Sequence, residues 1–229
     1  MLNDKQRDAV HDRDFLMLDL LLGDAPRVID VGANAGQSIL SLKAVRSKAA
    51  IDSFEPNPIF HTRLEALASA VGDVVIHRCG LGASEGECIF YTPVVDGRPR
   101  LEETSMYMEE FEKPWIKRRL AASGTVISFC DFRAAVTTGD SFNFTCDVIK
   151  IDVEGAERDV IMGFTSTIAR CEPVLLVENS DWQRVTRVLE RWEYRACMPS
   201  EDFGRFVKFQ GERTNTFYLP KRLHCLVKS

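Results

Sequence analysis

A short β-branched run that stops at a glycine-spaced turn limits the architectures open to this chain more than any other stretch. Arg27-Val28-Ile29-Asp30-Val31-Gly32 follows Pro26 and is apolar at most positions, as a strand buried within a parallel sheet must be. Asp30-Val-Gly-Ala-Asn-Ala-Gly36 then leads straight into a helical pattern over 37–46. The alternation continues with a strand over 50–55, a helix over 59–71 that sets Leu64, Leu67 and Ala68 on one face, and a strand over 74–78. This order calls for right-handed crossovers and a doubly wound, mostly parallel sheet, so the fold class is α/β.

Regular order resumes with a strand over 147–153, a helix over 156–168, a strand over 173–178 and a helix over 181–192; 205–209 and 215–219 read as short closing strands to which an antiparallel direction is open. Residues 4–22 carry an apolar stripe through Val10, Phe15, Leu16 and Leu18 and are expected to form one helix within an N-terminal segment, 1–24. Between short strands at 87–92 and 125–129, residues 93–123 fit no sheet pattern and hold Pro93, Gly97, Pro99 and Pro114. Such a stretch inside a domain is usually a functional lid or a mobile loop. The expectation is one domain over 1–229, with an inserted lid or acceptor region at 93–123.

Net charge is −5, from 29 basic and 34 acidic residues, a balance that repels a polyanion and argues against nucleic acid as a partner. The 7 cysteines, odd in number and without a C-x-x-C, read as reduced, mostly buried thiols, scattered too widely for zinc. No apolar run is long enough to span a bilayer. The charged start, with Asp4, Lys5, Arg7 and Asp8, lacks the apolar core of a signal peptide. A cytoplasmic location is expected.

The turn after the first strand stands where an open α/β sheet binds a nucleotide-like ligand. Gly32 and Gly36 let the backbone turn and approach a ligand closely. A dinucleotide loop would read G-x-G-x-x-G, but Asn34 and Gln37 occupy the second and third glycine positions, and the pattern is not a P-loop either. Asp30 offers a carboxylate to a ligand with a cationic amino-acid end. Glu55, 23 positions after Gly32, stands where such folds place the acid that binds ribose hydroxyls. Pro56, with Pro58, keeps the next turn rigid. Gly80 and Leu81 follow the third strand and can supply a backbone contact and an apolar wall for a base.

Val31-Gly-Ala-Asn-Ala-Gly36, Phe54-Glu-Pro-Asn-Pro58 and Ile149-Lys-Ile-Asp-Val-Glu-Gly-Ala-Glu157, in this order and spacing, resemble the FkbM-type S-adenosylmethionine-dependent methyltransferases. The resemblance covers about 27–82 and 147–178, leaving out the lid and the N-terminal segment. It implies a Rossmann-like, class I methyltransferase fold with S-adenosylmethionine as cofactor. It also implies methyl transfer to hydroxyl oxygens, often of sugars or natural products, with Gly32, Asn34, Gly36, Glu55 and Asp152 lining the cofactor site.

Methyl transfer to an alcohol needs the acceptor oxygen held in line with the sulfur leaving group, and a base to take its proton. Asp152 is the first candidate base, followed by Glu178 and His77. Glu154 and Glu157 are also readable as acids at a helix start. A divalent cation on Asp152, Glu154 and Glu178 is an alternative, though no histidine joins them and no metal is expected. His11, His61 and His224 read as surface or packing residues. The basic knot Lys113, Lys117, Arg118 and Arg119 around Trp115 suits either an anionic acceptor or a lipid surface, or else pairs with Glu109, Glu110 and Glu112. Thr104-Ser-Met-Tyr107, and Asn179, Asp181 and Trp182, are positional candidates for acceptor contacts. Two competing functions are a nicotinamide-dependent oxidoreductase and a non-catalytic binding subunit of the same fold; fold alone does not decide between them.

Overall fold

Alternate residues of the first strand face two separate cores, and this sorts the fold into layers. The computed structural model describes residues 2–124, 126–178, 182–211 and 214–228. The first half contains α1 (Asp4–Asp8), β1 (Arg27–Val31), α2 (Gln37–Val45), β2 (Ala50–Phe54), α3 (Pro58–Val71), β3 (Val74–His77), β4 (Gly80–Leu81), β5 (Gly86–Val95), β6 (Arg98–Pro99) and α4 (Pro114–Ser123). There follow β7 (Val126–Thr137), β8 (Val148–Ile151), α5 (Glu157–Gly163), α6 (Thr165–Cys171), β9 (Val174–Glu178), α7 (Trp182–Leu189), β10 (Arg195–Pro199), β11 (Phe206–Lys208), β12 (Asn215–Leu219) and β13 (Val227–Lys228). Val28 joins Ile39, Leu42 and Leu64 of α2 and α3 on one face. Ile29 and Val31 join Val160, Ile161 and Phe164 on the other.

The main sheet runs β13-β11-β10-β12-β9-β8-β1-β2-β3. The five strands from β9 to β3 are parallel. The chain winds outward from β1 through β2 to β3 and later re-enters as β8 on the opposite side of β1. That reversal opens a crevice at the carboxyl ends of β1 and β8. The other edge agrees with antiparallel closing strands at 205–209 and 215–219: β12 runs antiparallel between β9 and β10, and β11 antiparallel to β10, so the sheet is mixed and largely parallel, unlike a dinucleotide-binding Rossmann sheet. β10 was not expected, since its sequence lacks a clean period of two.

A second sheet, β4-β7-β5-β6, stands beside the first. The expected short strands at 87–92 and 125–129 are parts of one long antiparallel pair, β5 and β7, with a bulge at Val94/Val95; Thr125 itself lies outside the described residues. Segment 93–123 is correspondingly more ordered than a loop. It completes β5, adds β6 and two 3-10 turns (Leu101–Glu103 and Met108–Glu112), and ends in α4. Val95, Phe111, Ile116 and Leu120 give it a small core of its own.

Two expected helices are divided, each by a side-chain cap. Asp12 accepts the N–H of Asp14 and starts a 3-10 helix at Arg13–Leu20, separate from α1. Asp140 accepts the N–H groups of Ser166 and Thr167 at 2.8 Å and starts α6 apart from α5. All seven cysteines are free, but only Cys146 and Cys197 are buried, which corrects the expected burial. Among the described residues no helix is long and apolar enough to cross a membrane.

Gly32 is where β1 and the end of β8 come closest. Its φ is +81°, and a Cβ there would stand 1.9 Å from the Asp152 carbonyl oxygen. Gly32→Ala is expected to cost about 3 kcal/mol, because backbone rather than a flexible side chain blocks the methyl. Thermal melting against Gly23→Ala, whose Cβ meets nothing within 4 Å, checks it; equal melting temperatures would refute the close approach.

Candidate active site

The register of the parallel strands places Asp30 beside Lys150 on one side and Ser53 on the other. Asp30 is fully buried and accepts from Ser38 Oγ at 2.7 Å and Ser53 Oγ at 2.8 Å. Lys150 Nζ donates to the Gly32 carbonyl at 2.9 Å and lies 3.3 Å from Asp30 Oδ1 and 3.4 Å from Asp152 Oδ2. Burial acts to lower the Lys150 pKa, but Asp152 and Asp30 outweigh it and the ammonium persists. Asp30 therefore holds Lys150 under the loop. It does not reach the cavity as the sequence suggested.

Above this network lies a cavity of about 280 Å³, close to the lower end for small-ligand pockets. Gly32, Asn34, Glu55, Pro56, Gly80, Leu81, Asp152 and Glu178 line it. Asn34 has φ +48°. This turns its N–H onto Glu55 Oε2 at 2.7 Å, while Asn57 N–H donates to Glu55 Oε1 at 2.8 Å. Burial raises the Glu55 carboxyl to about 7, with the two backbone bonds pulling it down.

Asp152, Glu154 and Glu178 each bring a carboxylate oxygen within 4.8 Å of the others, the one such acidic trio among the described residues. Their charges are unequal. Burial acts to raise Asp152, but Lys150 and a hydrogen bond with Glu178 outweigh it, so Asp152 stays ionised. Burial and the neighbouring Asp152 push Glu178 up to about 11. Burial and Asp152 raise Glu154 to about 8 against the pull of Arg119. At neutral pH Glu178 keeps its proton and shares it with Asp152. Asp152 is also the accessible member of the network, its side chain 44% exposed against 7% for Lys150.

Segment 93–123 closes over the turn after β8. Ser105 Oγ donates to the Glu154 carbonyl at 2.7 Å, and Arg119 reaches both Glu154 Oε1, at 3.1 Å, and Glu103. Tyr107 donates to Asp159 on α5. Leu101, Thr104 and Met106 line the cavity.

The methyltransferase FkbM domain model matches residues 30–209. The chain belongs to the FkbM methyltransferase family. Membership classes it among the S-adenosylmethionine-dependent methyltransferases and sets aside the nicotinamide alternative. It is 29% identical over 192 residues to methyltransferase sdnD of Sordaria araneosa, covering 76% of this chain and 69% of that protein. It is 26% identical over 142 residues to methyltransferase 1 of Beauveria bassiana, covering 59% of this chain and 57% of that protein. Among solved structures it is similar to methyltransferase FkbM from Methylobacillus flagellatus, with TM-score 0.58 and 16% identity over 95% of this chain; that likeness speaks to fold alone. The chain spans only 48% of that structure's chain.

Within this FkbM domain, two further predicted residues stand away from the cavity. Gly36 packs under α3, where a Cβ would meet Leu67 at 2.5 Å. His77 ends β3 with its Nε2 on Asp52 Oδ1 at 2.8 Å and its ring stacked on Phe54; it does not line the cavity. Glu157 is buried and accepts the Gly155 N–H at 2.8 Å, bracing the turn. His61 bonds the Glu55 carbonyl and His224 the Leu219 carbonyl, as packing residues do. Trp182 packs on Phe209, while Asn179 and Asp181 lie outside the described residues. Sequence reasoning missed Lys150 and Phe90, and it assigned His11 to surface or packing; all three line the cavity. A lysine inside an otherwise apolar strand was the available signal for Lys150.

Lys150→Met is expected to destabilise the fold by about 3–5 kcal/mol, because it leaves Asp30 charged and buried without its ammonium. Urea unfolding measures this; a loss under 1 kcal/mol would show that the two serines alone satisfy Asp30.

Proposed function

We propose that this chain transfers the methyl group of S-adenosylmethionine to a hydroxyl oxygen of a small-molecule acceptor, a sugar, glycan or natural product. The observation that carries the reading is one cavity that combines Glu55, Gly80 and Leu81 with the ionised Asp152. The donor set suits the cofactor. Each Glu55 oxygen accepts one backbone N–H and keeps a lone pair for a ribose hydroxyl. Leu81 and Phe90 offer apolar surface to an adenine. When bound, the cofactor supplies an electrophilic methyl carbon on a positively charged sulfur.

The chain's own residues would do the rest. Asp152 accepts the acceptor's hydroxyl proton as the new bond forms. Glu178, protonated, hydrogen-bonds Asp152 and fixes its orientation. Leu101, Thr104 and Met106 narrow the cavity, and Arg119 on Glu154 holds that cover in place, so water competes less for the methyl group.

Asp152→Asn is expected to lower turnover about 100-fold or more, with the cofactor dissociation constant changed only a few-fold. Turnover equal to wild type would remove Asp152 as the base. The Glu55 carboxyl, raised to about 7, gives a second test. Its ionised form offers the ribose more acceptor capacity, so affinity for S-adenosylmethionine weakens as pH falls through about 7 and levels off above it. Calorimetric titration between about pH 6 and pH 8.5 reads this, and Glu55→Gln flattens the profile. A flat wild-type profile would mean that Glu55 does not contact the ligand.

A further inference from the structure

We infer that His11 is a cofactor-binding residue whose Nε2–H donates to the carboxylate of the ligand's amino-acid end. The inference deepens the methyltransferase reading and rests on it. His11 lies outside the 30–209 region matched by the family model and reaches the cavity from the turn between α1 and the following 3-10 helix.

Ser41 of α2 decides where the imidazole proton sits. This serine is fully buried; its Oγ accepts the His11 backbone N–H at 3.0 Å and lies 2.7 Å from His11 Nδ1. Among the described residues Nδ1 is the acceptor within reach of the hydroxyl proton, so the hydroxyl donates to Nδ1. A neutral ring then carries its proton on Nε2. Burial and the Lys150 ammonium hold the His11 pKa below its ordinary value, which keeps the ring neutral at pH 7. Nε2–H has no partner among the described residues, although the ring is exposed at the cavity and braced by Phe15 at a centroid distance of 5.0 Å.

The surroundings say what that N–H meets. Gln37 and Ser38, the first residues of α2, line the cavity, and the helix start has no side-chain cap. Free N–H groups and the helix dipole favour an anion there. Lys150 adds a positive charge close enough to act on the His11 ring. Asp152 is also close enough to act on the ring, but it is kept for the acceptor's hydroxyl proton. Asp30 is already engaged by Ser38, Ser53 and Lys150.

The test compares S-adenosylmethionine with its decarboxylated form, which lacks only the carboxylate, by calorimetry on the full chain. In His11→Phe, affinity for S-adenosylmethionine is expected to fall about tenfold, while affinity for the decarboxylated form stays within about twofold. Ser41→Ala, a milder change that releases the tautomer, is expected to reproduce part of that selective loss. Long-range nitrogen NMR of the wild type is expected to show Nδ1 unprotonated and the Nε2 proton shifting on addition of S-adenosylmethionine only. An Nδ1-protonated ring, an unchanged affinity, or equal losses for both ligands would each overturn the inference. Wild-type protein that binds neither ligand would instead overturn the methyltransferase reading itself.

Discussion

The buried ammonium of Lys150 is the interaction on which the site depends. An ammonium taken out of water is costly unless its charge is matched and its protons are received. Here Asp30 and Asp152 supply the charge and the Gly32 carbonyl receives a hydrogen bond. Those partners come from both strands that flank the crevice. The same contact therefore ties β1 to β8, holds the glycine turn against the end of β8, and keeps Asp152 ionised where it faces the cavity. Structure and chemistry at this point are one electrostatic arrangement.

Around that ammonium the three carboxyls of Asp152, Glu154 and Glu178 divide their protons. One ammonium cannot offset three ionised neighbours in a partly dry site. The acid nearest Lys150 keeps its charge, and Glu178, shielded from water and facing Asp152, keeps its proton. An ionised and a protonated carboxyl thus arise from similar side chains, distinguished by which of them touches the lysine, and the proposed reaction assigns them the roles of base and orienting acid.

Much of this was legible in the sequence because the relevant signals are local. The run over 27–32, its glycine turn, Glu55 and the 149–157 segment fix strands, turns and helix starts within a few residues of themselves. Other features depend on partners distant in the chain. Asp30 looks like a ligand for a cationic group until β8 delivers Lys150 to it, 120 residues on. Gly36 looks like a glycine of close ligand approach until α3 sets Leu67 over it. His77 reads as a strand-end base until β2 presents Asp52, in register with Val75, to its ring nitrogen. The full length of the β5–β7 pair was obscured for the same reason: sheet pairing is decided across the chain, while periodicity reports only along it.

The segment over 93–123 combines local pairing with one distant contact. Its basic knot was open to an anionic acceptor or a lipid surface, or to pairing with Glu109, Glu110 and Glu112, and the structure takes the last course for two of its lysines. In the folded chain Lys113 meets Glu110 at 2.7 Å, Lys117 meets Glu112 at 2.5 Å, and Arg119 spans Glu103 and Glu154. Local acids take up three of the charges, and the fourth, Arg118, is exposed. What remains of the knot's chemistry is Arg119, whose carboxylate partner belongs to the acidic trio. Arg119 draws the Glu154 pKa down, and Glu154 in turn holds the segment against the turn after β8. The cover over the cavity and the proton distribution beneath it are therefore coupled. Arg119 favours the ionised form of Glu154, while Ser105 on the Glu154 carbonyl and Tyr107 on Asp159 tie the segment down whatever that charge.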